Sequence, residues 1–266
     1  MNLVAIIDQY LHEDVMIAFS GGVDSTLLLK IAVEASKRYH THVYAVTIQT
    51  VLHPVMEADE AKRIADELGA IHKVIHVDEL EGAGIENNPV DRCYLCKKYM
   101  FTKVKELAHS LGISTILEGT NADDLKQYRP GIKAIQELGL HSPLLEANMT
   151  KKEIRELAAD YDLKAANKPS SPCLATRFPY HTLLNYEEMR KVEKIEDYLH
   201  ACGFYNVRAR IHNDLVRLEI DQDAFMKCMD YRQEIVLFIK ELGYDYVTLD
   251  LEGFRSGSQD IKLEEK

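Results

Sequence analysis

A parallel α/β sheet covered on both faces, followed by a smaller α+β domain, is the fold class this sequence predicts. Three observations predict it. Strand-like and helix-like segments alternate through the first half, a glycine-rich turn follows the first strand, and the pattern becomes helix, hairpin, helix, strand after residue 184. Alternation at this interval implies βαβ units, and hence parallel strands flanked by helices. The expected division is 1–180 and 181–266.

Residues 15–19 are a short apolar run, and a helical stretch at 24–39 follows the glycines. Further strands are expected at 42–48, 72–77 and 114–117, with a fifth at 142–145. Helices are expected at 54–68, stopped by Gly69, and at 96–111, stopped by Gly112, since glycine takes the left-handed conformation that closes a helix. Thr150 and Glu153 form a capping box that opens a helix to about residue 161. Residues 164–184 break the rhythm with Pro169, Pro172 and Pro179, and read as an ordered functional loop or a connector. Asn185 then caps a helix to about residue 201, and 206–212 and 215–221 alternate around Asn213-Asp214 as a hairpin. A helix over 224–242 and a strand over 245–251 complete the second domain, with a charged tail at 260–266.

Composition narrows the function. The net charge of −11 weighs against a protein that grips phosphate backbones, where a basic patch is expected. No apolar run approaches the ~20 residues of a membrane helix, and the N-terminal stretch lacks the basic region of a signal peptide. A cytoplasmic protein with neither membrane nor nucleic-acid partner is the expectation. Five cysteines in 266 residues make no disulfide framework, so metal binding and catalysis become the questions.

Ser20-Gly21-Gly22-Val23-Asp24-Ser25 carries the strongest signal. Two glycines allow a sharp turn and close approach of a ligand, and the amides of the following helix start face an anion, aided by the helix dipole. Ser20 and Ser25 can add hydroxyl donors. No lysine follows the glycines, so this is not the GxxxxGK[ST] loop. It resembles the SGGxDS signature of the PP-loop ATP pyrophosphatases, the adenine nucleotide alpha hydrolase-like class. The resemblance implies a loop that holds the leaving pyrophosphate, with Asp24 near the magnesium-bound phosphates. Glu118-Gly119-Thr120-Asn121-Ala122-Asp123-Asp124 is a second polar turn, also at the end of a strand of the proposed sheet.

Cys93-Tyr-Leu-Cys96 opens a helix, where the dipole favours thiolates, and Cys173 lies in the proline-rich stretch. A structural zinc site would need a fourth ligand. A redox dithiol sits poorly with the nucleotide loop. Three thiolates on a 4Fe–4S cluster would leave one iron open. The CxxC spacing alone leaves zinc and cluster level. Cys202 and Cys228 fall in helical patterns and read as structural. Arg208 and Arg210 alternate on one strand and so share a face. Periodicity alone favours a solvated basic face there over a phosphate clamp.

With SGGVDS at 20–25, SPCLATRFPY at 171–180 and YDYVTLDLEGFRSGS at 244–258, the chain resembles the LarE family, ATP-dependent sulfur transferases of nickel-pincer nucleotide biosynthesis. The resemblance covers nearly the whole chain. It implies that ATP adenylates a carboxylate of pyridinium-3,5-biscarboxylic acid mononucleotide and that sulfur then displaces AMP. ATP and Mg2+ would be bound through Ser20, Gly21, Gly22, Asp24, Ser25, Thr47 and Gly119. Cys173, Asp24 and Arg177 would be catalytic, and Arg208 and Arg210 would take the substrate phosphate. Members with a single cysteine at the position of Cys173 sacrifice its sulfur. The added Cys93 and Cys96 resemble the other type, in which three cysteines hold a 4Fe–4S cluster and a hydrosulfide on the open iron is the nucleophile. The family further implies a homo-oligomer and a nickel-inserting enzyme downstream, and leaves the sulfide donor unknown. The alternatives are a tRNA thiolase with a cysteine-bound cluster, the single-turnover sacrificial type, an ammonia-using synthetase, and a nucleotide-binding regulator with structural zinc.

Overall fold

The structure, a computed structural model, describes residues 2–50, 52, 56–126, 130–167, 173–255 and 259. Residues 54–55 of an expected helix, 168–172 with Ser171 and Pro172 of the 171–180 motif, 256–258 of the terminal motif and the whole tail at 260–266 lie outside the described residues. The chain divides into two compact units, Met1–Ile85 with Asp91–Ser171, and Glu86–Val90 with Pro172–Lys266.

The first unit carries four strands: β1 (Val15–Ala18), β2 (Val43–Thr50), β3 (Ile71–Val77) and β4 (Thr115–Leu117). Its helices are α1 (Leu3–Tyr10), α2 (Val23–Tyr39), α3 (Met56–Leu68), α4 (Glu79–Gly82), α5 (Arg92–Ser110), α6 (Gly131–Leu138), α7 (Pro143–Glu146) and α8 (Lys151–Asp160). The strands run parallel in the order β3-β2-β1-β4. Val15 and Ile17 of β1 belong to a core with Leu27 and Leu28 of α2 and Leu3 and Ile7 of α1. Met16 belongs to another, with Phe101 and Val104 of α5 and Ile135 of α6. A strand covered on both faces has no reason to alternate, which is why β1 reads as an unbroken apolar run. The expected α/β fold class is borne out.

The expected fifth strand does not form. Residues 142–145 are not a fifth strand but the start of α7, with Pro143 in its first turn. Proline has no N–H for a ladder, and its φ is already helical. The sheet gains only His141 at this edge, whose amide donates to the Ile116 carbonyl (3.0 Å) and whose carbonyl accepts from the Glu118 amide (2.9 Å).

In the second unit β5 (Val207–His212), β6 (Leu215–Ile220) and β7 (Tyr246–Leu249) form a sheet in that order, β5/β6 antiparallel and β6/β7 parallel. The β5–β6 turn takes its left-handed residue from Asn213 (φ 57°), a conformation asparagine tolerates. The helices are α9 (Tyr186–Ala201), α10 (Phe225–Asp230) and α11 (Arg232–Glu241). The helix expected over 224–242 is thus broken at Tyr231, where the Arg232 guanidinium donates to the Met229 carbonyl (2.9 Å). Residues Glu86–Val90 join this unit through Asn88, fully buried, whose side-chain amide donates to the carbonyls of Phe178 (3.0 Å) and Pro179 (2.7 Å).

Candidate active site

The chain leaves β1 through Phe19, whose amide bonds the Val46 carbonyl (2.8 Å), and turns at Gly21 (φ 73°). A Cβ there would meet Ala61 of α3 at an ordinary 3.5 Å, so the backbone angle, rather than crowding, selects glycine. The serines shape the loop. Ser25 Oγ accepts from the Ser20 amide (3.3 Å) and donates to the Gly22 carbonyl (3.2 Å), and Ser20 Oγ accepts from the Gly22 amide (3.4 Å). Gly22 is the N-cap of α2, and no side chain caps this helix. Its first-turn amides therefore face outward from the carboxyl end of the central strand, the anion-binding arrangement of open α/β sheets.

Thr47 supports the loop from β2. Its hydroxyl donates to the Phe19 carbonyl (2.9 Å), so the 2.9 Å contact with His72 Nε2 has the ring nitrogen as donor. Burial holds the His72 imidazole below its ordinary range. From β4 the second loop presses on the first. A Cβ on Gly119 would stand 3.2 Å from the Asp24 Cβ and 3.4 Å from the Ser25 nitrogen, closer than a side chain packs comfortably. Buried Glu118 organises this loop by accepting from the Thr120 amide (3.1 Å), the Thr120 hydroxyl (2.7 Å) and the Ser142 hydroxyl. Asn121 donates to Asp24 Oδ1 (3.4 Å), and the Lys151 ammonium is ion-paired to Asp24 Oδ2. Five of the seven residues expected to bind ATP thus lie on one loop, and the other two, Thr47 and Gly119, pack against its ends. Glu118 and Asn121 lie in the second polar turn singled out from the sequence, though without a role of their own, whereas His72 and Lys151 were missed. No spacing rule links them to residues 20–25.

Cys93 is exposed and Cys96 half-buried, three residues apart at the start of α5. That spacing puts both on one helix face, at the end where the dipole favours thiolates. Cys173 belongs to the second unit. No disulfide joins the five cysteines. Among the described residues no three His, Cys, Asp or Glu side chains stand together as a metal-binding group. Buried Cys228 has its thiol pushed up by desolvation.

Around Cys173 the second unit assembles buried charge. The Cys173 carbonyl accepts from the Thr176 amide (3.0 Å), the Thr176 hydroxyl (2.8 Å) and Arg177 Nη1 (3.2 Å). Arg177, 3% exposed, forks onto Glu196 of α9 through Nε (2.9 Å) and Nη2 (2.6 Å). Arg210 of β5 forks onto the fully buried Glu219 of β6 (2.8 and 3.0 Å) and also donates to the Thr176 carbonyl. Arg208 lies 5.0 Å from the centre of the Phe254 ring. Burial, and then the positive charge of Arg177, push its guanidinium down to about 10. Arg208 and Arg210 are not a solvated basic face. They are buried beside Arg177, three guanidiniums against the carboxylates of Glu196 and Glu219.

Comparison with known proteins identifies the class first. Residues 1–128 match the family model of the PP-loop domain; with the parallel sheet and the SGGVDS loop, this defines a PP-loop enzyme that uses ATP. The chain is also 38% identical to pyridinium-3,5-bisthiocarboxylic acid mononucleotide synthase of Lactiplantibacillus plantarum, over 94% of this chain and 90% of that protein. An uncharacterised protein of Synechocystis sp. is 35% identical over 91% of this chain and 90% of its own length. A tRNA-specific 2-thiouridylase of Carboxydothermus hydrogenoformans is 26% identical over 60% of this chain and 54% of its own length. The chain belongs to the LarE family of sulfur-inserting PP-loop enzymes. Among the described residues no helix is long and apolar enough to cross a membrane.

Proposed function

We propose that this enzyme adenylates a carboxylate of pyridinium-3,5-biscarboxylic acid mononucleotide with ATP and replaces a carboxylate oxygen by sulfur, on the way to the nickel-pincer nucleotide. The observation that carries the reading is the likeness to a synthase of the bisthiocarboxylic product, which runs through both units of the chain. A carboxylate is a poor acyl donor. Attack of its oxygen on the α-phosphorus of ATP gives an acyl-adenylate and releases pyrophosphate. Sulfide attack on the acyl carbon then expels AMP and leaves a thiocarboxylate.

The residues of this chain contribute position and charge, which is where phosphoryl-type chemistry gains its rate. The open amides of α2 and the turned backbone at Gly21 and Gly22 hold the pyrophosphate end. Asp24 is the candidate partner of Mg2+. The guanidiniums of Arg177, Arg208 and Arg210, gathered in the second unit, suit the phosphate of the mononucleotide, whose oxygens their planar forks match. The three thiolates of Cys93, Cys96 and Cys173 are the ligands this reading expects for a 4Fe–4S cluster, which would leave one iron open to carry the sulfide. Anaerobic iron and sulfide analysis is expected to give about four irons per chain and to fall in Cys93→Ala. Mass spectrometry after turnover is expected to find Cys173 intact. Loss of sulfur from Cys173 would move the protein to the sacrificial type. The partial likeness to a tRNA thiouridylase supports a second reading, which a gel shift with bulk tRNA tests.

A further inference from the structure

ATP brings a polyanion to a loop that itself contributes a carboxylate, Asp24, and no lysine. In GxxxxGK[ST] loops a lysine directly after the glycines reaches the β- and γ-phosphates. Here the fold delivers an ammonium from elsewhere. Lys151, the first residue of α8, is ion-paired to Asp24 Oδ2 across 127 positions of sequence.

The placement is built at both ends. At the backbone, the Thr150–Glu153 capping box fixes the start of α8, with the Thr150 amide donating to Glu153 (2.8 Å). The Lys151 amide donates to Asp123 Oδ2 (2.8 Å). At the target, Asn121 Oδ1 accepts from the Asp123 amide (3.0 Å) while its Nδ2 donates to Asp24 Oδ1 (3.4 Å). One network therefore holds the root of the lysine and the carboxylate it meets. An ion pair this exposed adds little to folding, so stability does not account for the arrangement. An ammonium has three N–H donors. Among the described residues the Asp24 carboxylate is the acceptor it meets, which leaves donors for a ligand beside the open first turn of α2.

We infer that Lys151 is the phosphate-binding lysine of this loop: it neutralises Asp24 in the nucleotide-free protein and contacts the β- and γ-phosphate oxygens when ATP is bound. The assignment rests on the ATP site at residues 20–25 and adds a residue to it. Arginine at 151 keeps the charge and the reach. Lys152, one position on and exposed, is the natural control.

Equilibrium binding of ATP and of AMP, each with Mg2+, tests the assignment in the full-length protein. Lys151→Ala is expected to weaken ATP about tenfold to a hundredfold, the loss of a charge-assisted hydrogen bond, while AMP changes less than about twofold. Lys151→Arg recovers most of the ATP affinity, and Lys152→Ala matches wild type. In an Asp24→Asn background, where no carboxylate needs screening, Lys151→Ala still weakens ATP. If that loss vanishes in the Asp24→Asn background, or if ATP and AMP suffer equally, the assignment is overturned. A wild-type protein without ATP affinity would overturn it together with the reading of the loop.

Discussion

The nucleotide loop of the first unit and the arginine cluster of the second prepare for anions with opposite materials. The loop uses backbone: amides at the open end of α2, a left-handed glycine, and serines tied to their own neighbours. Everything lies within residues 20–25, and no charge is buried to make it. The cluster uses side chains from far apart, with Arg177 reaching Glu196 across 19 positions and the Thr176 carbonyl receiving Arg210 across 34. Full charges are taken out of water there and held by opposite charges and by backbone carbonyls. The loop is therefore inexpensive to fold and sensitive to backbone angle, whereas the cluster depends on every partner being present.

The largest effect is expected in the cluster. Glu196→Ala strands the Arg177 guanidinium and the Ala209 amide, which donates to Glu196 at 2.9 Å. Losing one partner of a buried pair costs about 3–5 kcal/mol, measurable by chemical denaturation. A loss under about 1 kcal/mol, the range of exposed pairs, would show that water replaces Glu196 and would dissolve the contrast. The loop is expected to yield less. Gly21→Ala forces a left-handed alanine at a cost of about 1–2 kcal/mol, with a matching loss of ATP affinity and no clash with Ala61. Unchanged affinity would mean that the turn does not shape the site.

The smallest effect sharpens the comparison through a buried acid that has no such pairing. Glu79 of the first unit is fully buried, and its side chain accepts from the Leu52 amide (3.3 Å) rather than from a guanidinium. Burial raises its carboxyl above the ordinary range. The folded protein then keeps this proton to higher pH than the unfolded chain does. Stability falls as pH rises from the unfolded value, about 4.3, through the folded one. Glu79→Gln is expected to be more stable than wild type at about pH 8, with the gain disappearing below about pH 4. A gain that persists in acid would belong to packing and not to ionisation.

What could be read from sequence follows the same division. The SGGVDS loop, the Thr150–Glu153 capping box, the Asn185 cap and the turn at Asn213 are local devices, each specified by a few adjacent residues. They lie where the sequence puts them. The family resemblance, resting on contiguous motifs, was legible for the same reason. The failures are long-range or depend on partners. Pro143 turned an apolar stretch into a helix start. Residues 86–90 joined the second unit through the buried Asn88 and through the Glu86 carbonyl, which accepts from the Leu184 amide. Asp24 with Lys151, and the arginines with Glu196 and Glu219, are pairs that only the folded chain brings together. Periodicity reported that Arg208 and Arg210 share a face, yet it could not report that the face is buried.

The central claim, adenylation of a pyridinium carboxylate at the glycine-turned loop, is tested most directly by exchange of labelled pyrophosphate into ATP. Exchange is expected to require pyridinium-3,5-biscarboxylic acid mononucleotide and to need no sulfur source. Exchange that is absent with this substrate, or that proceeds equally well without it, would rule out adenylation of this carboxylate at the loop.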